Sequence, residues 1–158
     1  TGDMQNTFDT FTIHRLAPGD DQQFSAMLDL FATVFEDREN YSSARPGPKY
    51  RQALLGRDDI IALVALTGEG VIGALVAYEL RKFEQERSEF YLYDLAVAGQ
   101  WRRRGVATAL IDALKAIANS NGGWVVYVQA DYGDEPAVAL YTKLGTREDV
   151  MHFDLSLD

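Results

Sequence analysis

The chain has 158 residues, 24 acidic and 15 basic, giving a formal net charge of −9, and 47% of it is apolar. That length suits one domain, able to bury roughly 70% of the surface its unfolded chain exposes. With no cysteine and only two histidines, disulfide frameworks, thiolate metal sites and cysteine nucleophiles are excluded and a histidine metal site is not expected, while the acidic balance speaks against non-specific nucleic-acid binding and leaves room for a cationic substrate.

Thr1 to Gln5 is polar, without a basic–apolar leader pattern, and Thr1-Gly2-Asp3 ahead of Met4 reads as disordered or vector-derived. Phe8 to Leu16 predicts a first strand, broken by Pro18-Gly19. Asp20 or Asp21 then caps a helix to about Phe35, whose Phe24, Met27, Leu28, Phe31, Val34 and Phe35 share one face. Asp37 to Lys49, with Asn40, Pro46, Gly47 and Pro48, reads as a loop, and Tyr50 to Leu55 as a short helix. Ile60 to Leu66 and Val71 to Leu80 form a hairpin about Thr67-Gly68-Glu69-Gly70. Glu89 to Val97 is a tyrosine-rich strand. Arg104-Gly105 opens a helix with Val106, Leu110, Ala113, Leu114 and Ile117 on one face, ended by Asn121-Gly122-Gly123. Trp124 to Gln129 is a strand, Pro136 to Leu144 a helix capped by Gly145, and Val150 to Leu155 a last strand. The order predicts a single α/β domain over 1–158 with a mixed sheet. No apolar run approaches the roughly 18–20 residues of a membrane span, so a cytoplasmic protein without membrane or nucleic-acid partners is expected.

The most informative stretch runs from Tyr93 to Ala107: a strand, a tight loop with Arg102, Arg103 and Arg104, and Gly105 at a helix start. Helix N-termini present unpaired N–H groups and partial positive charge. With a glycine to admit close approach, they make a phosphate cradle; the alternative is an ordinary helix start with solvated arginines.

Arg102-x-x-Gly105-x-Ala107 resembles the Q/R-x-x-G-x-G/A coenzyme A loop of the GNAT acetyltransferases. Asp94-Leu95-Ala96-Val97 looks like the strand before that loop, and Ala139-Leu140-Tyr141-Thr142-Lys143-Leu144-Gly145 like the family's later A-x-x-Y-x-x-x-G segment. Lys82 to Gln85, Tyr93 to Val97, Tyr127 to Asp134 and Val150 to Asp154 are similar to one branch, the aminoglycoside 3-N-acetyltransferases of type I. The departures are Glu135 beside Asp134 and the Asp37–Lys49 loop, which bears on which aminoglycosides fit. The resemblance implies a mostly antiparallel sheet splayed between its fourth and fifth strands. It also implies acetyl transfer from acetyl-CoA to the 3-amino group of gentamicin-like aminoglycosides, by direct attack in a ternary complex, conferring antibiotic resistance. GNAT domains often end in a two-strand hairpin; one strand alone here points to a homodimer that supplies the missing edge.

Within that resemblance, Asp94 is expected to be the general base or amine anchor, since an ammonium must lose a proton before attack. By strict alternation Asp94 shares a face with Phe90, Leu92 and Ala96; a bulge would change that. The other reading is a buried structural aspartate. Tyr141 matches the tyrosine beside the thioester sulfur, and otherwise is a core tyrosine. Leu95, Ala96 and Val97 are expected to hydrogen-bond the pantetheine arm. Arg102, Arg103, Arg104, Gly105, Val106 and Ala107 are expected to hold the pyrophosphate, with Thr108 as a hydroxyl donor. Asp131, Asp134, Glu135 and Tyr132 are expected at the substrate, against the alternative of a solvated turn in which Asp134 or Glu135 caps a helix. His152, Trp101, Trp124, Tyr91 and Tyr93 read first as structural. No metal is expected. The competing functions are a GNAT enzyme for another amine (polyamine, amino sugar or peptide) and a non-catalytic acetyl-CoA-binding module; Asp94 and Tyr141 together argue against the latter.

Overall fold

The structure, a computed structural model, describes residues 10–158; the reading of Thr1–Gln5 and the start of the first strand at Phe8 lie outside them. The elements are β1 (Thr12–Arg15), α1 (Asp21–Val34), α2 (Arg38–Ser42), α3 (Pro48–Leu55), β2 (Ile60–Thr67), β3 (Gly70–Arg81), β4 (Ser88–Val97), a 3-10 turn (Gly99–Trp101), α4 (Val106–Ser120), β5 (Gly123–Val128) and α5 (Glu135–Leu144). One sheet runs in the order β1-β2-β3-β4-β5. The first three pairings are antiparallel and β4–β5 is parallel. The described residues fall into two compact units, the first ending at Tyr127 and the second starting at Val128.

In the first unit, period-two alternation along β2 and β3 divides the apolar side chains between two faces. Ala62, Val64 and Ala74 pack with Phe24, Met27 and Phe31 of α1, the stripe read from the sequence. On the other face lies α4, whose Val106, Leu110 and Leu114 are buried. Gly73 makes this seat possible: a Cβ there would stand 2.7 Å from Val106 Cγ1 and 3.3 Å from Leu110 Cδ1. The start of α4 is thereby pressed onto β3, in register with the end of β4, because Gly73 pairs with Val97.

Three local expectations change. Asp20 is the N-cap of α1, but its carboxylate makes no cap bond to the helix; it accepts from the Ala17 N–H at 2.8 Å and lies 3.0 Å from His14 Nε2. The Asp37–Lys49 stretch contains a helix, α2, capped by Asp37, which accepts from the Asn40 N–H. The last strand is absent: residues 145–158 hold neither helix nor strand. Met151, Phe153, Leu155 and Leu157 keep the alternation of a strand but are exposed. Alternation describes a strand's faces, whereas a strand also requires a neighbour to complete its ladder.

Overpacking a tight contact typically costs about 1–3 kcal/mol. A Gly73→Val variant is therefore expected to lose unfolding free energy by that margin and to unfold at a lower urea midpoint; an unchanged midpoint would show that α4 does not press on β3 there.

Candidate active site

The site begins with an irregularity in the β3–β4 ladder. Val76 pairs with Asp94, yet Ala77 pairs with Leu92, so Tyr93 is one residue too many. Such a bulge reverses the alternation beyond it. Phe90 and Leu92 are buried on the α4 face. Asp94 is carried instead to the face of Ala74, Val76 and Ala96, which pack on the α1 side. The parity expected from strict alternation therefore fails for Phe90 and Leu92 and holds for Ala96. Tyr93 itself is 58% exposed.

Asp94 is half-buried and meets a residue that sequence reasoning missed. The phenol of Tyr41, on α2, donates to Asp94 Oδ1 at 2.9 Å. Nothing near Tyr41 in the chain signals this: the partners are 53 positions apart, and Tyr41 sits in a stretch read as loop. Its ring lies 5.6 Å from the rings of both Phe31 and Phe35. More tyrosines surround the carboxylate. Tyr78 meets Tyr93 edge-on at 5.8 Å, Tyr93 meets Tyr91 at 5.5 Å, and Tyr91 stacks on Tyr127 at 4.7 Å. Tyr91 and Tyr93, read as packing residues, are thus part of an aromatic wall beside Asp94. Burial pushes the Asp94 carboxyl above its ordinary range, while the hydrogen bond from Tyr41 pulls it back down. Burial and the charge of Asp94 also raise the phenols of Tyr41 and Tyr78, so both remain donors at neutral pH.

β4 has ten residues and β5 six. The two start level, since the Ser88 N–H donates to the Gly122 carbonyl at 3.1 Å. β4 therefore runs on past the end of β5, and Leu95, Ala96 and Val97 lie on that extension, paired to β3. The chain then turns through Gly99–Trp101. Arg103 at φ 61° and Gly105 at φ 81° are both left-handed. α4 closes its first bond from the Ala109 N–H to the Gly105 carbonyl at 3.0 Å, so the N–H groups of Val106, Ala107 and Thr108 come before any partner within the helix. A Cβ at Gly105 would meet nothing within 4 Å: this glycine serves the backbone angle and leaves the space before the helix open. Arg102, Arg103 and Arg104 are exposed. The Arg104 guanidinium lies 5.0 Å over the ring of Trp101, itself buried. Val106 points into the core, so only its backbone faces the turn.

The second unit holds the remaining candidates. Asp131, Tyr132, Asp134 and Glu135 are exposed. Asp134 caps α5, accepting from the Ala137 N–H at 3.3 Å, which realises the capping alternative for that residue. Tyr132 donates to Asp149 at 3.3 Å, beneath the Arg147 guanidinium. Burial, and then the charge of Asp134, pushes the phenol of Tyr141 up to about 12. His152 pairs with Asp154 at 2.8 Å on the surface. Trp124 lies under the Arg87 guanidinium at 4.1 Å, in the first unit. Among the described residues, no cluster of three or more histidine or carboxylate side chains is arranged to hold a metal ion, and no helix is long and apolar enough to cross a membrane.

Asp94 binds a proton more tightly folded than unfolded. The stability it contributes is complete below its ordinary 3.8 and is lost as pH rises through the raised folded value. Thermal melts across the acid and neutral range are expected to show Asp94→Asn more stable than the native chain above that value, with the advantage fading below the ordinary carboxyl range. A difference that ignores pH would contradict the burial assigned to this group.

The model of the Acetyltransferase (GNAT) family matches residues 24–146. The chain is similar to the crystal structure of an aminoglycoside acetyltransferase, HMB0005, from an uncultured soil metagenomic sample: 48% identity, TM-score 0.92, covering 94% of this chain and 99% of that one. It is also similar to the aminoglycoside acetyltransferase meta-AAC0020, likewise from a soil metagenomic sample and solved in complex with sisomicin: 31% identity, TM-score 0.87, covering 98% and 99%. N-acetyltransferase 8B of Rattus norvegicus is 30% identical over 90 residues, 57% of this chain and 40% of that relative's length.

Proposed function

Because the chain belongs to the GNAT acetyltransferase family, we propose that it moves the acetyl group of acetyl-CoA to the 3-amino group of a gentamicin-like aminoglycoside, by direct attack in a ternary complex. The observation that carries this reading is the half-buried Asp94 carboxylate, turned by the Tyr93 bulge into a tyrosine-lined setting one strand-end away from the Arg102–Thr108 turn. The likeness to aminoglycoside acetyltransferases over nearly the whole chain supports the substrate class, as does the net charge of −9 against a polycationic sugar.

The turn fits the coenzyme. Two left-handed residues, Arg103 and Gly105, bend the backbone ahead of a helix start whose first N–H groups have no partner within the helix, with open space before Gly105. When bound, acetyl-CoA supplies the acetyl group as a reactive thioester. In this reading the N–H groups of Val106, Ala107 and Thr108 hold its diphosphate, assisted by Arg102 and Arg103, while the cation of Arg104 stays over Trp101. Backbone groups of Leu95, Ala96 and Val97, on the part of β4 that outruns β5, hydrogen-bond the pantetheine, and one N–H polarises the acyl carbonyl. Asp94 takes the proton of the substrate ammonium, its raised pKa bringing it closer to that of the amine. Tyr141 keeps its phenolic proton at neutral pH and donates it to the departing sulfur. Asp131 and Glu135 meet further ammonium groups through charge-assisted hydrogen bonds; Tyr132 and Asp134 belong to the same surface, Asp134 with one carboxylate oxygen already given to α5. The reading treats the whole chain as one acetyltransferase domain, and resistance to such drugs as its cellular consequence.

Two substitutions separate the two halves of this assignment. Asp94→Ala is expected to lower kcat by about 100-fold or more, the usual contribution of a positioned base, with coenzyme affinity nearly intact. Gly105→Val, forced into a left-handed angle, is expected to weaken coenzyme binding in calorimetry. Unchanged turnover in the first or unchanged affinity in the second removes the corresponding role. The substrate is tested by thiol release from acetyl-CoA with gentamicin, sisomicin, kanamycin, spermidine and a peptide amine. Activity confined to spermidine or the peptide would transfer the function to another amine, and tight coenzyme binding without thiol release from any of them would make the chain a binding module.

A further inference from the structure

We infer that Tyr41 is a positioning residue for the transfer reaction: its phenol holds Oδ1 of Asp94, so that the other carboxylate oxygen is the one offered to the incoming amine. The inference rests on the reading of Asp94 as base and adds a residue outside every motif of the sequence. Three observations carry it.

The first is directional. The hydrogen bond is 2.9 Å long, and the phenol is the donor, because burial and the adjacent carboxylate keep Tyr41 protonated. A donor to a carboxylate favours its ionised form. Burial acts the other way, so Asp94 stands between two opposed influences, and only one comes from a removable hydroxyl.

The second is mechanical. The ring of Tyr41 is held independently of its hydroxyl, by Phe31 and Phe35 on one side and by the short helix that carries it on the other. That helix is capped by Asp37 through the Asn40 N–H and side-chain amide, and it is followed by Arg45, which pairs with Asp29 of α1. The hydroxyl therefore arrives at Asp94 on a fixed stem, as a second contact that a base needs to keep its orientation while a substrate comes and goes.

The third is the company Asp94 keeps. Besides Tyr41, Tyr78 on β3 and Tyr91 on its own strand are the phenols that its charge raises; Asp37 acts on Tyr41 from the start of α2, and Tyr50 on Tyr78 from α3. Burial and the Tyr41 hydrogen bond are the two influences that move Asp94.

The test measures Asp94 directly. Its carboxyl carbon is titrated by NMR in the native chain and in Tyr41→Phe, which keeps the ring and removes the hydroxyl. Loss of a hydrogen bond to the ionised form is expected to move the titration up by about one pH unit. With sisomicin, the acid limb of kcat/KM is expected to rise by the same amount, so that on that limb the variant is about tenfold slower. In an Asp94→Asn background the Tyr41→Phe change is expected to leave the rate unaltered, since the base it serves is gone. Urea unfolding of each variant checks that the fold is kept, and Tyr41→Leu, which has no polar hydrogen to donate, gives a second titration if Tyr41→Phe fails to fold. An Asp94 carboxyl that titrates at the same pH with and without the hydroxyl would overturn the inference and leave Tyr41 a packing residue. A shifted titration in a protein that acetylates no aminoglycoside would uphold the hold on Oδ1 and overturn the proposed substrate instead.

Discussion

One surplus residue governs the arrangement of the first unit. Were Tyr93 paired in regular alternation, Asp94 would share a face with Phe90 and Leu92, against α4, in an apolar layer. Ionising a carboxyl there without a partner would be destabilising by several kcal/mol, so the group would stay protonated. The bulge sends the same carboxyl to the opposite face, where it is half-buried and a phenol reaches it. The environment then does two things together: it raises the affinity of Asp94 for a proton and supplies one donor that limits the rise.

The end of the same strand leads into the turn before α4, and the two are locked through Gly73. Its missing side chain lets Val106 and Leu110 settle on β3 opposite Val97. The first turn of α4 is thus fixed to β3, the strand paired with the one that carries Asp94. The backbone between them pays for this in its angles: Arg103, which has a Cβ, adopts φ 61°, a conformation that is uncommon for residues other than glycine. Gly105 adopts the next such angle without that penalty. The left-handed pair shapes a concave run of N–H groups, the kind of backbone geometry that suits an anion.

What could be read from the sequence was what neighbours in the chain decide. The apolar stripe Phe24–Met27–Phe31, the Gly68-Glu69 turn between β2 and β3, and the start of α4 after Gly105 all follow from local spacing and turn chemistry. Asp94 stood out in the sequence too, as a carboxylate in a tyrosine strand, but its face did not, because register depends on how β3 meets β4. α2 was hidden for a related reason: Asn40, Ser42 and Ser43 are weak helix formers, and five residues gain little from helix formation alone. The helix carries tertiary support, from Tyr41 against Phe31 and Phe35. The Val150–Leu155 expectation failed in the opposite direction, since a local pattern was present where the structure supplies no ladder. Asp134 was legible as either a cap or a ligand, and spacing alone does not choose between them.

The placement of Tyr41 links two properties that an enzyme often adjusts separately. The segment around α2 carries the hydroxyl that touches Asp94, and under the proposed function changes in it would also bear on which molecules are admitted. A lineage remodelling this segment to accept a new compound would retune its working acidity at the same stroke. Under that proposal, breadth of recognition and acid–base set point would be inherited together, through one phenol on one short helix.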